Sequence, residues 1–340
     1  MKRSLLFIAI LIIINQVSAQ NFSELFKKTN PAVVVIKVLE EESTGVGNPY
    51  EKVAFGSLGS GVLIDANGSI LTAAHVIKLA SEILVEFPDG QSFQADVVKI
   101  SHESDIALIK TRKAPQNPVV VKLADSDKVN VGDKIFIIGS PMGLYHSLSV
   151  GYISGRHIEK LDFSKAGKIE FFQTDAAINT GNSGGPMFNV EGEVIGIVSS
   201  ILTRSGGFEG LGFAATSNIA KFIMETDGYD WMGVDATFIE GKLAKILNVK
   251  QGAGFLVQAV AEKSPSYFMG LRASYQKVII DEQEILLGGD IMLSANGYRF
   301  INKKSLTEFL AHYQSMLRGD LLKIEVLRAG SIVWLEWKLK

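Results

Sequence analysis

From Pro31 to about Ala215, short apolar runs are separated by Gly, Asn and Asp, a spacing that predicts many antiparallel strands rather than alternating strands and helices. The clearest runs lie at 32–38, 61–64, 83–87, 106–109, 134–138 and 194–198. Pro88-Asp89-Gly90 marks a turn before the run at 93–100, and Glu191-Gly192 marks another before Val194. A polar crossing at 125–133 leaves halves of roughly 90 residues, 31–124 and 131–216, which suit two small β-barrels better than one large one.

At Ser217 the period changes. Ile219, Phe222 and Ile223 fall at helical spacing, predicting a short helix over 217–224 capped by Ser217 and ended by Thr226-Asp227-Gly228. A further domain is expected over 229–340, with strands near 254–260, 290–295 and 321–327. Its best helix is 305–313, where Ser305 and Glu308 have capping-box spacing and Leu306, Phe309, Leu310 and Tyr313 share one face. Residues 1–19 read as a signal peptide: Lys2 and Arg3 precede an apolar run at 5–14 too short to span a bilayer comfortably, and Val17-Ser18-Ala19 offers a cleavage site. The chain is therefore expected to be exported, touching a membrane only if residues 1–19 are kept as an anchor.

Composition narrows the classes. At 340 residues the chain exceeds the size of one growing core. A formal net charge of −2 gives no footprint for nucleic acid. With no cysteine there is no thiol nucleophile, disulfide or thiolate metal site. His146, His157 and His312 lack metal-ligand spacing, and the glycines of 56–61 lack the phosphate-loop lysine, so neither a metal nor a cofactor is expected.

Gly181-Asn182-Ser183-Gly184-Gly185-Pro186 carries the candidate chemistry. A serine hydroxyl attacks a carbonyl only when a base takes its proton and N–H groups hold the oxyanion that forms. The glycines allow the sharp turn this needs, and the N–H groups of Gly181 and Ser183 are the natural oxyanion donors. His75, closing the apolar strand that ends in Ala73-Ala74, suits the base, and Asp105, heading the apolar run 106–108, suits the carboxylate that orients it. His102 is set aside as an alternative base, because strand alternation would turn it away from Asp105. The chain order His, Asp, Ser is that of the chymotrypsin fold.

Thr72-Ala73-Ala74-His75-Val76, Asp105-Ile106-Ala107, Gly139-Ser140-Pro141-Met142-Gly143, Thr174-Asp175-Ala176-Ala177-Ile178-Asn179, the motif around Ser183 and Gly210-Leu211-Gly212-Phe213-Ala214 together resemble the HtrA (Deg) family of serine proteases. The resemblance implies a mainly β chain: a chymotrypsin-like double six-stranded β-barrel protease domain within 20–226, then a small α+β PDZ domain over 229–340. It further implies a cofactor-free homotrimer acting on misfolded or signalling proteins in the periplasm or cell envelope. In that fold the residue six before the nucleophile, here Ala177, floors the primary pocket, with Ile178, Gly212, Phe213 and Ala214 as walls. No acid is present there to pair with Lys or Arg, so cleavage after small or medium aliphatic residues is expected.

Trp231-Met232-Gly233-Val234 resembles the carboxylate-binding loop of the PDZ domain, with a peptide C-terminus expected to add as a strand beside 254–260. Family PDZ domains pass quickly from Gly-Leu to Gly-Asp, whereas Gly270-Leu271 and Gly289-Asp290 here bracket an insertion at 272–288. The segment 40–55 is short for the loop with which some members lock higher oligomers. Two other functions are weighed: a membrane-anchored regulatory protease with one dedicated substrate, and a catalytically silent PDZ chaperone or scaffold, against which the three intact residues argue.

Overall fold

The computed structural model describes residues 21–43, 52–140, 146–160, 168–201, 208–227, 231–280 and 283–339. The signal-peptide reading of 1–19, the middle of 40–55 and Pro141-Met142-Gly143 lie outside them.

Six strands, β1 (Val33–Ser43), β2 (Lys52–Leu63), β3 (Ser69–Ala73), β4 (Glu82–Glu86), β5 (Ser92–Ser101) and β6 (Ile106–Thr111), close a first barrel in the order β1-β2-β3-β6-β5-β4. Six more, β7 (Lys134–Gly139), β8 (Ser147–Lys160), β9 (Lys168–Thr174), β10 (Pro186–Phe188), β11 (Val194–Ile201) and β12 (Gly212–Thr216), close a second one, and read from β7 it repeats the same order. Much of the stretch expected to be loop at 40–55 is strand, since β1 and β2 stay paired out to Ser43 and Lys52.

The apolar runs show little alternation because both faces of these strands are buried. On β6, Ala107 and Ile109 fill the first barrel while Ile106 and Leu108 face the second. On β7, Ile135 and Ile137 fill the second barrel while Phe136 and Ile138 face back. Phe136 stacks on Phe188 at 4.9 Å, and Phe22 of helix α1 (Phe22–Thr29) meets Phe136 edge-on at 5.8 Å. Each such buried side chain contributes on the order of 2–3 kcal/mol. The barrels are thereby fused along one shared core, and the cleft between them is fixed in width.

The short helix α2 (Ala74–Ile77) follows β3, and α3 (Ser217–Glu225) leaves β12 to cap the shared core with Ile219, Ala220 and Ile223. Ser217 is not its cap. Thr216 precedes the helix, and the Ser217 hydroxyl donates to the Ala124 carbonyl at 2.8 Å.

The C-terminal unit comprises β13 (Val234–Glu240), α4 (Gly241–Ile246), β14 (Ala253–Val260), α5 (Pro265–Met269), the hairpin β15 (Gln276–Ile280) and β16 (Gln283–Leu287), β17 (Ile291–Ala295), β18 (Tyr298–Arg299), α6 (Lys303–Ser315), β19 (Leu321–Arg328) and β20 (Ser331–Lys338). Its sheet runs β13-β14-β17-β19-β20, as fits a PDZ-like domain. Helix α6 starts earlier than its sequence suggests: Asn302 is the cap, and Ser305 completes the capping box from the third helical position. The insertion is the β15–β16 hairpin. At its root Asp290 N–H donates to the Arg272 carbonyl at 3.0 Å, and the buried Asp290 carboxylate accepts from Arg272 N–H and from the Arg328 guanidinium at 2.6 and 2.7 Å.

Candidate active site

Three segments meet at the mouth of the cleft. Helix α2 presents His75 in its first turn, half exposed. Asp105 sits just ahead of β6 with φ +54°, a left-handed turn that aims its carboxylate under α2. Its two oxygens lie 2.8 and 3.0 Å from His75 Nδ1, and one of them accepts the His75 backbone N–H at 2.9 Å. Ser199 Oγ donates to the same carboxylate at 2.6 Å. Burial pushes the Asp105 carboxyl up, but the bonds from His75 and Ser199 outweigh it and leave the group below the ordinary carboxylate range. Asp105 therefore stays ionised and is placed to accept a proton carried on His75 Nδ1, which leaves Nε2 unengaged among the described residues.

The turn bearing Ser183 is clamped by Ser60, a buried residue of β2 that sequence reading overlooks. Ser60 N–H donates to the Ser183 carbonyl at 2.8 Å, and Ser60 Oγ donates to the Gly181 carbonyl at 2.7 Å while accepting Ser140 N–H at 3.0 Å. Gly184, at φ +81°, passes so close to Ser60 and Thr72 that a Cβ would sit 2.3 Å from the Ser60 carbonyl oxygen. With their carbonyls held this way, the N–H groups of Gly181 and Ser183 have no internal acceptor among the described residues. Ser183 Oγ donates to the Ser199 carbonyl at 3.4 Å, and among the described residues no hydrogen bond joins it to His75.

Residues 59–197 match the trypsin-like peptidase domain family. The chain is 37% identical over 282 residues to a probable periplasmic serine endoprotease DegP-like of Pseudomonas putida strain GB-1, covering 81% of this chain and 54% of that one. It is 35% identical over 306 residues to periplasmic serine endoprotease DegP of Salmonella typhimurium strain LT2, covering 86% and 59%. The chain thus spans little more than half the length of these relatives. Among solved structures, HtrA-type protease AlgW with tripeptide aligns at TM-score 0.53 and 28% identity over 94% of this chain and 96% of that one, and AlgW with decapeptide at 0.52 and 27% over 94% and 98%.

The chain is similar over most of its length to HtrA-type serine proteases.

Beside Ser183, Ile178 is buried against Gly212, where a Cβ would come 2.5 Å from Ile178 Cδ1, and Ala214 lies on the same side. Ala177 is exposed. Phe213 does not share this side: β-strand alternation turns it outward, edge-on to His157 with ring centroids 5.5 Å apart. His102 is also placed differently from its sequence reading. β5 ends at Ser101, and the turn at 102–105 brings His102 into the same cleft as His75 and Asp105.

In the loop ahead of β13, the Met232 carbonyl accepts from Ser266 N–H at 3.1 Å and the Gly233 carbonyl from Ala261 N–H at 2.8 Å. Among the described residues nothing accepts the N–H groups of Met232 and Gly233. Met232 and Val234 pack in one cluster with Leu306, Phe309 and Tyr313 of α6. An added strand beside 254–260 is ruled out, because β14 is flanked by β13 on one side and by β17 on the other. Among the described residues the sheet's edge strands are β13 and β20, and β13 is the edge next to β14.

Proposed function

We propose that this chain is a serine endopeptidase that cuts protein chains through an acyl-enzyme. The observation that carries this is His75 hydrogen-bonded to the Asp105 carboxylate, with Ser199 joining that carboxylate to Ser183 and two N–H groups at Gly181 and Ser183 that no described residue engages. His75 Nε2 takes the Ser183 proton as Oγ attacks the scissile carbonyl. The N–H groups of Gly181 and Ser183 receive the oxyanion, each worth about 3–4 kcal/mol of barrier. His75 then returns the proton to the leaving amine, and water repeats the sequence on the ester.

Its substrates are misfolded or signalling proteins of the cell envelope, met by a chain exported behind residues 1–19 and assembled as a homotrimer; the periplasmic relatives support the location. A peptide C-terminus adds to the free edge of β13, its carboxylate held by N–H groups around Trp231, Met232, Gly233 and Val234, and so raises activity. The AlgW structures with tripeptide and decapeptide support peptide binding. Incubating the purified protein with an unfolded protein, with and without a peptide ending in a free Val, Leu or Phe, tests both statements by mass spectrometry of the products. Cuts absent from a Ser183→Ala control, and stimulation lost on C-terminal amidation, are expected. Cutting by Ser183→Ala, or equal stimulation by free and amidated peptides, contradicts them.

A further inference from the structure

β10 covers β11 to Ile197 and Gly184-Gly185 pair with Val198, so from Ser199 to Ile201 no strand among the described residues pairs with that edge of β11, directly beside Ser183. An extended substrate chain can add to it by main-chain hydrogen bonds. The side chains ahead of the scissile bond then overhang a recess of about 450 Å³ between the barrels, where His102 and Glu103 face His157, Phe171 and Phe213.

This recess is walled by rings held in place. His157 Nε2 is 2.8 Å from Gln173 Oε1, Phe213 meets the His157 ring edge-on, and Phe171 lies directly across from His157 on β9. Among the described residues no Lys or Arg lines it. Glu103 is turned back to accept from Ser101 Oγ at 3.1 Å. The His102 ring reaches solvent, yet desolvation along the cleft wall, aided by the nearby Lys78, holds its pKa below the ordinary value, so at neutral pH it is an uncharged ring. A carboxylate finds no cation here, while a flat side chain finds aromatic edges and faces to pack on.

We propose that the recess is a specificity subsite that takes an aromatic side chain from a residue two to four positions before the scissile bond, with His102, His157 and Phe213 as its determinants. This rests on the endopeptidase reading above.

The test uses the full chain and a mixture of decapeptides that share one Val before the cut and carry Ala, Phe, Lys or Glu two, three or four positions before the scissile bond. Following their disappearance together by mass spectrometry gives ratios of kcat/KM. Phe is expected to exceed Ala by about ten-fold at one of these positions. In His157→Ala, and separately in His102→Ala, that ratio should fall to roughly two-fold. Where a variant cuts nothing, the Phe-to-Ala affinity ratio measured on Ser183→Ala carrying the same change replaces it. Equal use of Phe and Ala, a preference for Lys or Glu, or a ratio unmoved in both variants overturns the inference alone. Failure of the unsubstituted protein to cut any peptide overturns the endopeptidase reading with it.

Discussion

The indole Nε1 of Trp231 donates a 2.9 Å hydrogen bond to the carbonyl of Lys78, the residue that closes the helix bearing His75. The Lys78 ammonium in turn pairs with Asp235 on β13, and Lys263 pairs with Glu82 at 3.0 Å. The loop heading the edge strand β13 is therefore seated on the back of the helix that bears His75. Trp231→Phe keeps the ring against the first barrel and removes only the N–H. A loss of about 1 kcal/mol is expected, read as roughly five-fold faster amide exchange at Ile77 and Ala80.

Replacing Ser183 or His75 by Ala should lower turnover by roughly 10⁴-fold or more with circular dichroism unchanged, because nucleophile and base act as one unit. Peptide-bond cleavage at the unsubstituted rate by either variant would remove the triad assignment.

Asp105 carries a pH signature. Its carboxyl titrates below the ordinary value of 3.8 in the folded chain, so its contribution to stability is fully present above that value and is lost as pH falls through the lower folded value. The stability gap between the unsubstituted protein and Asp105→Asn should thus be constant from neutral pH down to about 5 and narrow steadily below about 4. Thermal denaturation across that range checks it. A gap that stays unchanged at the lowest pH at which both proteins fold contradicts the ion-paired role.

The primary pocket proposed at Ile178 and Gly212 is apolar, with no acid among these described residues to receive a cation. Cuts after Val, Ala, Leu or Ile should dominate a digest. Gly212→Val, which drives a branched side chain into Ile178, should reduce kcat/KM for such sites by about 10²-fold while the chain still folds. A digest dominated by cuts after Lys or Arg would refute the pocket.

Asp290 is fully buried and paired with Arg328. Removing one partner strands the other's charge, so Asp290→Ala should destabilise the C-terminal unit by about 3–5 kcal/mol, measurable as an earlier chemical-denaturation transition.

How far the sequence could be read depended on whether a signal was local. The motif around Ser183, the Ala-Ala-His step and the apolar run behind Asp105 each carry their meaning within six residues, and the structure brings them together. Ser60 and Ser199 carry none: each is a small polar residue in an apolar strand whose partner lies 121 or 94 residues away. The one trace was Ser199-Ser200 interrupting an otherwise apolar run. His102 escapes the alternation rule because the chain turns at 102–105. The strong apolar run of β14 is the mark of a central strand, whereas the edge strand β13 is only half-buried and correspondingly faint.

The β15–β16 hairpin leaves the C-terminal unit at Arg272 and returns at Asp290, two residues that already exchange hydrogen bonds. Its length is therefore a free variable. Doubling a loop whose ends are fixed costs only about 0.6 kcal/mol in closure entropy, and the Arg328 clamp sits below the point where the added chain departs. Such a place is a natural graft point: with Ile285 and Leu287 kept on the core they share with Ile239, Leu256 and Ile291, a foreign hairpin, an epitope or a small reporter domain set between Ile280 and Gln283 would ride on the chain without asking the β13 edge, α6 or the cleft to change.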